Sequence, residues 1–210
     1  MSTRSAVAGS EQTGGAGQAA PLTRRRFNVD DYYAMARAGI LGEDERVELL
    51  DGEVVEMTPI GIRHAACVDR LTDSFTRRFA GRAIVRVQNP VRLDGYCEPE
   101  PDVTLLRPPL DRYADAHPAP EDVLLIVEVA DTSLRRDRVG KLPLYAGAGI
   151  AEVWIVNVED REIEVYRETV GARYAKVQRL RQGSVAPLAF PDEAIEIEEI
   201  LGPAPSASPA

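Results

Sequence analysis

The chain has 210 residues, with 25 Lys and Arg against 34 Asp and Glu, giving a formal net charge of −9. That length suits one domain with short tails, and 44% hydrophobic with 28% charged residues is an ordinary globular composition. The acidic balance excludes a protein that coats nucleic acid or anionic membrane by bulk charge, and no apolar run reaches the roughly 18 residues of a membrane span. Cys67 and Cys97 are too few for a disulfide framework, and the N-terminal stretch lacks a signal-peptide core. A cytoplasmic protein is expected.

Residues 1–23 and 202–210 are rich in Gly, Ala, Ser and Pro and are expected to be flexible tails on a domain spanning 24–201. Asn28 or Asp30 caps a first helix over 31–38, which stops at Gly39. Asp51-Gly52, between apolar alternations in 46–58, is the strongest short hairpin signal. Pro59 and Gly61 break the chain. A helix follows over 64–79, with Ala65, Val68, Leu71, Phe75 and Phe79 on one face. Residues 83–88 and 90–93 read as one strand broken at Asn89-Pro90, and 102–106 as a short apolar strand. The proline-rich stretch 107–121 reads as a surface excursion. Residues 122–129, almost continuously apolar, read as a central strand covered on both faces. A helix is expected over 135–148, then a hairpin of 152–158 with 162–167; the type of 194–201 is left open. This order predicts an α/β (α+β) domain with a central mixed β-sheet flanked by helices.

Asp102 opens one strand and Glu128 nearly closes the next. Antiparallel pairing would set them side by side at one rim, with Glu128 on the face of Leu124 and Ile126. Two adjacent carboxylates need a cation. Lys141 is the candidate, and four-residue steps place it on one helix face with Asp137 and Tyr145. Carboxylates plus a lysine suit Mg²⁺, which takes oxygen ligands and leaves room for a phosphate-bearing substrate. Spacing alone leaves the bland reading open: a strand-entry aspartate, a structural ion pair and a solvated lysine. Glu128 is hardest to explain that way, because a carboxylate in an apolar central strand is costly unless held.

Other chemistries find less support. His64, Cys67, Cys97 and His117 lack the paired spacing of a zinc site, so Cys67 reads as packing. No nucleophile elbow accompanies either histidine, and there is no phosphate-binding Walker loop. Arg77, Arg78, Arg82 and Arg86 form one basic run; Arg135, Arg136 and Arg138 form another, better placed to meet phosphate.

The ordered series VELLDGEVVEMTP, His64, PEPDV, IVEVADTS and DRVGKLPLYAGAGIAEVWIV resembles the Uma family of restriction-endonuclease-type proteins in the PD-(D/E)XK nuclease superfamily. The resemblance implies a restriction-endonuclease-like core in which Asp102 and Glu128 hold Mg²⁺ or Mn²⁺. It also implies that the lysine has moved from position 130, here Ala130, to Lys141. Glu48 and Glu53 fall on acidic positions of the family's early hairpin and His64 on its first-helix histidine; Asp137 and Tyr145 are neighbours. The implied activity is hydrolysis of DNA phosphodiester bonds, in a homodimer with no membrane association. Two rivals stay open: a catalytically silent module binding nucleic acid or protein, and a phosphoesterase for small nucleotides. Pro143 departs from a regular helix, so that helix either begins near Lys141 or is distorted there.

Overall fold

The computed structural model describes residues 23–203; most of both expected tails lies outside the described residues. Asn28 caps α1 (Val29–Arg37) through a reciprocal box: its side chain accepts from the Asp31 N–H at 2.8 Å, and the Asp31 carboxylate accepts from the Asn28 N–H at 3.2 Å. The helix therefore starts two residues before the expected position. The hairpin of β1 (Val47–Leu50) and β2 (Glu53–Glu56) turns at Asp51 and Gly52, with φ of 49° and 79°. Positive φ at both central residues matches the twist of the strands. Gly52 is required for a second reason: a Cβ there would stand 2.6 Å from Arg26 Cβ.

Helix α2 (Ile62–Arg78) buries Cys67, Val68, Leu71 and Phe75, as its three- and four-residue periodicity requires. Six strands follow in the order β3-β4-β5-β6-β7-β8: β3 (Ile84–Val87), β4 (Val103–Leu106), β5 (Val123–Ala130), β6 (Glu152–Asn157), β7 (Glu162–Val170) and β8 (Arg173–Leu180). All neighbours are antiparallel except β5 and β6. A parallel pair needs a crossover. Here it consists of one turn, α3 (Leu134–Arg136), a π turn (Asp137–Lys141) and α4 (Leu142–Gly147). A two-stranded ribbon, β9 (Ser184–Val185) with β10 (Ile195–Glu196), leads into α5 (Ile197–Leu201).

The sheet separates two apolar layers. On one side Phe75, Phe79 and Trp154 pack with α2 and α5; on the other Leu142, Tyr145 and Ile150 pack with the first hairpin. Several expectations need correction. Residues 90–93 form no strand, although the Leu93 N–H still bonds the Cys97 carbonyl. The expected helix 135–148 is split, because the π turn absorbs an extra residue ahead of Pro143. Strand β8 was not anticipated. The register slips between Leu105 and Leu106, so Leu124 joins the α2 side while Ile126 stays on the other. Leu124 thus does not share the Glu128 face, because a bulge shifts the alternation.

Candidate active site

Val103 stands opposite Val127 across the antiparallel β4–β5 ladder, and the same register carries Asp102 to the side of Glu128. The Asp102 carboxylate reaches over the ladder and accepts the Val129 N–H at 2.8 Å. His64, in the first turn of α2, lies 3.0 Å from the same oxygen, and Gln88 Nε2 donates to the other at 3.3 Å. An ionised carboxylate only accepts, so the His64 Nε2 carries the proton in this contact. Burial alone would raise the Asp102 pKa, but the bonds from His64, Val129 and Gln88 outweigh it and hold the group below the usual carboxylate range.

Lys141 ends the π turn and is 3% exposed. Its Nζ lies 2.9 Å from Glu48 Oε2 and 3.2 Å from Glu128 Oε1. Glu48 arrives from β1, its other anchor being the Glu100 N–H at 3.1 Å. Tyr145, one turn beyond Lys141, donates to Glu128 Oε1 at 2.5 Å. Lys141, Asp137 and Tyr145 are all buried at this rim, and Ser133 Oγ donates to Asp137 at 2.6 Å. The Pro143 alternatives are thus both realised: the preceding turn is widened to a π turn, and Pro143 sits in the first turn of α4, where its missing N–H costs nothing.

Charge here is unbalanced. Glu48, Asp102, Glu128 and Asp137 are all buried, and Lys141 is the buried cation among them. Burial pushes the Glu128 carboxyl up to about 8; Lys141 opposes this, while Asp137, Asp102 and Glu48 reinforce it. Burial likewise raises Asp137. Burial would lower Lys141, but Glu128, Glu48 and Asp137 overcome it and raise its pKa, so the ammonium is fixed in its charged form. Glu48 Oε1 is buried with no hydrogen-bond partner, as is His64 Nδ1. The rim opens into a pocket lined also by Arg46, Gln88, Glu100 and Arg136.

Of the residues expected at the site, Asp102, Glu128, Lys141, Glu48, His64, Asp137 and Tyr145 converge. Glu53 does not: it sits beside the hairpin turn, opposite Leu50, with its side chain 62% exposed and paired with Arg24. The zinc set never assembles, for Cys67 and Cys97 are buried free thiols in different apolar layers. Of the first basic run, Arg77, Arg78 and Arg82 pair with carboxylates, and Arg138 of the second is committed to Glu164. Arg136 remains at the pocket. Gln88, Glu100 and Arg46 were missed. Glu100 lay within the quoted PEPDV segment, whereas Gln88 had no signal, since it reaches Asp102 only through a backbone with φ of 50° just past β3.

A mixed sheet with acidic side chains and a lysine at one strand-end rim is the architecture expected of a restriction-endonuclease-like core. The chain is similar in fold to the crystal structure of a putative nuclease belonging to DUF820 from Anabaena variabilis ATCC 29413, with a TM-score of 0.65 and 12% identity over 83% of this chain and 97% of that one. The Uma2 family model, described as "Putative restriction endonuclease", matches residues 29–198, and the chain belongs to that family. No curated protein matches it. Among the described residues no helix is long and apolar enough to cross a membrane.

Proposed function

We propose that the chain is a Mg²⁺- or Mn²⁺-dependent endonuclease that hydrolyses phosphodiester bonds of DNA. The observation that carries this reading is Lys141 Nζ held between Glu48 and Glu128, with Asp102 across the ladder. The donors are all hard oxygens, their buried negative charge exceeds what Lys141 offsets, and Glu48 Oε1 lacks a partner. That chemistry fits a hard divalent cation. Among the described residues no three His, Cys, Asp or Glu side chains form a ready-made metal cluster. Two carboxylates with water and substrate phosphate completing the shell is the usual manner of Mg²⁺.

Asp102 and Glu128 would hold the ion, which when bound supplies Lewis-acid polarisation of the phosphate and a water of lowered pKa. Asp102 is kept ionised and aimed by His64, Gln88 and the Val129 N–H. Lys141 Nζ, steered by Glu48 and Tyr145-anchored Glu128, orients the attacking water and offsets charge growing on the phosphate oxygens. Arg46 and Arg136 at the mouth would meet flanking phosphates. Homodimerisation would bring two such rims to opposite strands, and buried thiols suit the reducing cytoplasm we assign to it.

The test is cleavage of supercoiled plasmid with Mg²⁺ or Mn²⁺ by the unaltered chain, Asp102→Ala and Glu128→Ala, with size-exclusion chromatography for the oligomer. Metal-dependent nicking lost in both variants is the expected result. Equal cleavage by all three would overturn the site, and binding without cleavage would favour the silent module.

A further inference from the structure

A second cleft lies beside the first, lined by Tyr33, Arg86, Arg92, Tyr113, Asp115 and His117. Its base is ordered by Glu98, 2% exposed, which accepts from Tyr33 Oη at 2.6 Å and from Arg92 Nε at 2.6 Å. Because the Tyr33 O–H is committed to Glu98, His117 Nε2, 3.0 Å away, donates to the Tyr33 oxygen. Arg86 is different. One nitrogen, Nη2, donates to Asn89 at 3.0 Å, while Nη1 is buried with no partner. Thr104, directly opposite Arg86 across β3–β4, also has a buried Oγ1 without a partner. Burial lowers the pKa of Arg86, as expected of a cation short of counter-charge.

The cleft is placed as well as charged. Thr104 lies two residues along β4 from Asp102, and Gln88, two residues along from Arg86, is bonded to Asp102. Two strand residues span roughly 7 Å, and residues so spaced share a face. Arg92 is neutralised by Glu98, and Asp115 is an exposed acid at the rim, so Arg86 is the cation left to act.

We propose that this cleft is a second phosphate-binding subsite, in which Arg86 takes a backbone phosphate of the bound DNA one or two nucleotides from the phosphate at the Asp102–Glu128–Lys141 rim. A phosphate supplies the counter-charge that the Arg86 guanidinium lacks, and guanidinium with phosphate is a strong, geometrically matched pair. The subsite rests on the nuclease reading above and adds to it a determinant of strand path.

The test is binding of a short DNA duplex in Ca²⁺ buffer at several salt concentrations. Each neutralised phosphate contributes about 0.9 to the slope of log K against log salt. Arg86→Gln should flatten that slope by about 0.9 and weaken binding several-fold, whereas Arg86→Lys should keep the slope. Ala116→Glu, at an exposed rim position, should weaken binding without touching the fold, and it decides the matter if Arg86→Gln fails to fold. DNA cleavage by the unaltered chain, with slope and affinity unchanged in Arg86→Gln and Ala116→Glu, would overturn the subsite alone. Neither cleavage nor binding by the unaltered chain would overturn the nuclease reading and the subsite together.

Discussion

Replacing Glu128 with Gln isolates the electrostatics of the rim. The Glu128 carboxyl titrates near 8 in the folded chain because of its burial, against an ordinary 4.5 once unfolded. Between those limits the folded state holds a proton that the unfolded state has released, so wild-type stability falls as pH rises through this window. The gap sets an upper bound of roughly 5 kcal/mol for the whole window, and a loss of at least about 2 kcal/mol is expected. Glu128→Gln has nothing to ionise there. Urea denaturation at pH 5, 6.5 and 8.5 should therefore show the variant gaining on the wild type as pH increases. Added Mn²⁺ should reverse the order. Wild type gains about 2.7 kcal/mol when the ion is at a hundred times its dissociation constant, and gains more at pH 8.5 than at pH 6.5, where protons compete. The variant should gain little. A stability difference that stays flat with pH, or an equal Mn²⁺ response in both chains, would refute the reasoning.

Lys141→Met should abolish cleavage and destabilise the fold by about 3–5 kcal/mol above pH 8, because Glu48 and Glu128 lose their buried cation; at pH 6, where Glu128 is protonated, urea midpoints should show a smaller loss. Tyr145→Phe removes the O–H donated to Glu128, which should cost about 1–2 kcal/mol and move the acid limb of the cleavage–pH profile to higher pH. Glu53→Ala should change stability by less than about 0.5 kcal/mol and leave cleavage intact in a plasmid assay, since its side chain is in solvent beside the hairpin turn.

The elements legible in the sequence were those whose signals are local or strongly periodic. Asp51-Gly52 could form only a tight turn, the face of Val68, Leu71 and Phe75 had to be covered, and the run 122–129 had to be central. The pairing of Asp102 with Glu128 followed from the same logic, since an antiparallel return brings a strand start to a strand end. Strand β8 escaped because its larger apolar residues, Tyr174, Val177 and Leu180, fall at three-residue steps on a mostly exposed edge, and its pairing to β7 supplies what its pattern does not. The slip at Leu105 and Leu106 was invisible for a related reason. A bulge is a property of two strands together, and neither sequence alone declares it. Glu48 was suggested by family resemblance, but its bond to Lys141 depends on how the first hairpin docks against the crossover, which no local pattern encodes.

The π turn ties these observations together. In a regular helix Pro143 would remove a bond needed from within; with the turn widened over Asp137–Lys141, α4 begins after Lys141 and the proline falls where helices tolerate it. Arg138, inside that turn, is bound to Glu164 on β7, so the segment is pinned to the sheet as well as to α4. Lys141 is therefore fixed from both sides while its side chain spans Glu48 and Glu128, which come from separate elements. Such a lysine sets the spacing of two carboxylates that would otherwise repel, yet neutralises only one charge. The remaining negative excess is what a divalent ion would offset. In the proposed nuclease the acidity of this rim would suit metal-dependent chemistry, and a grip on DNA would fall to arginines around it, such as Arg46, Arg86 and Arg136, that have no carboxylate partner among the described residues.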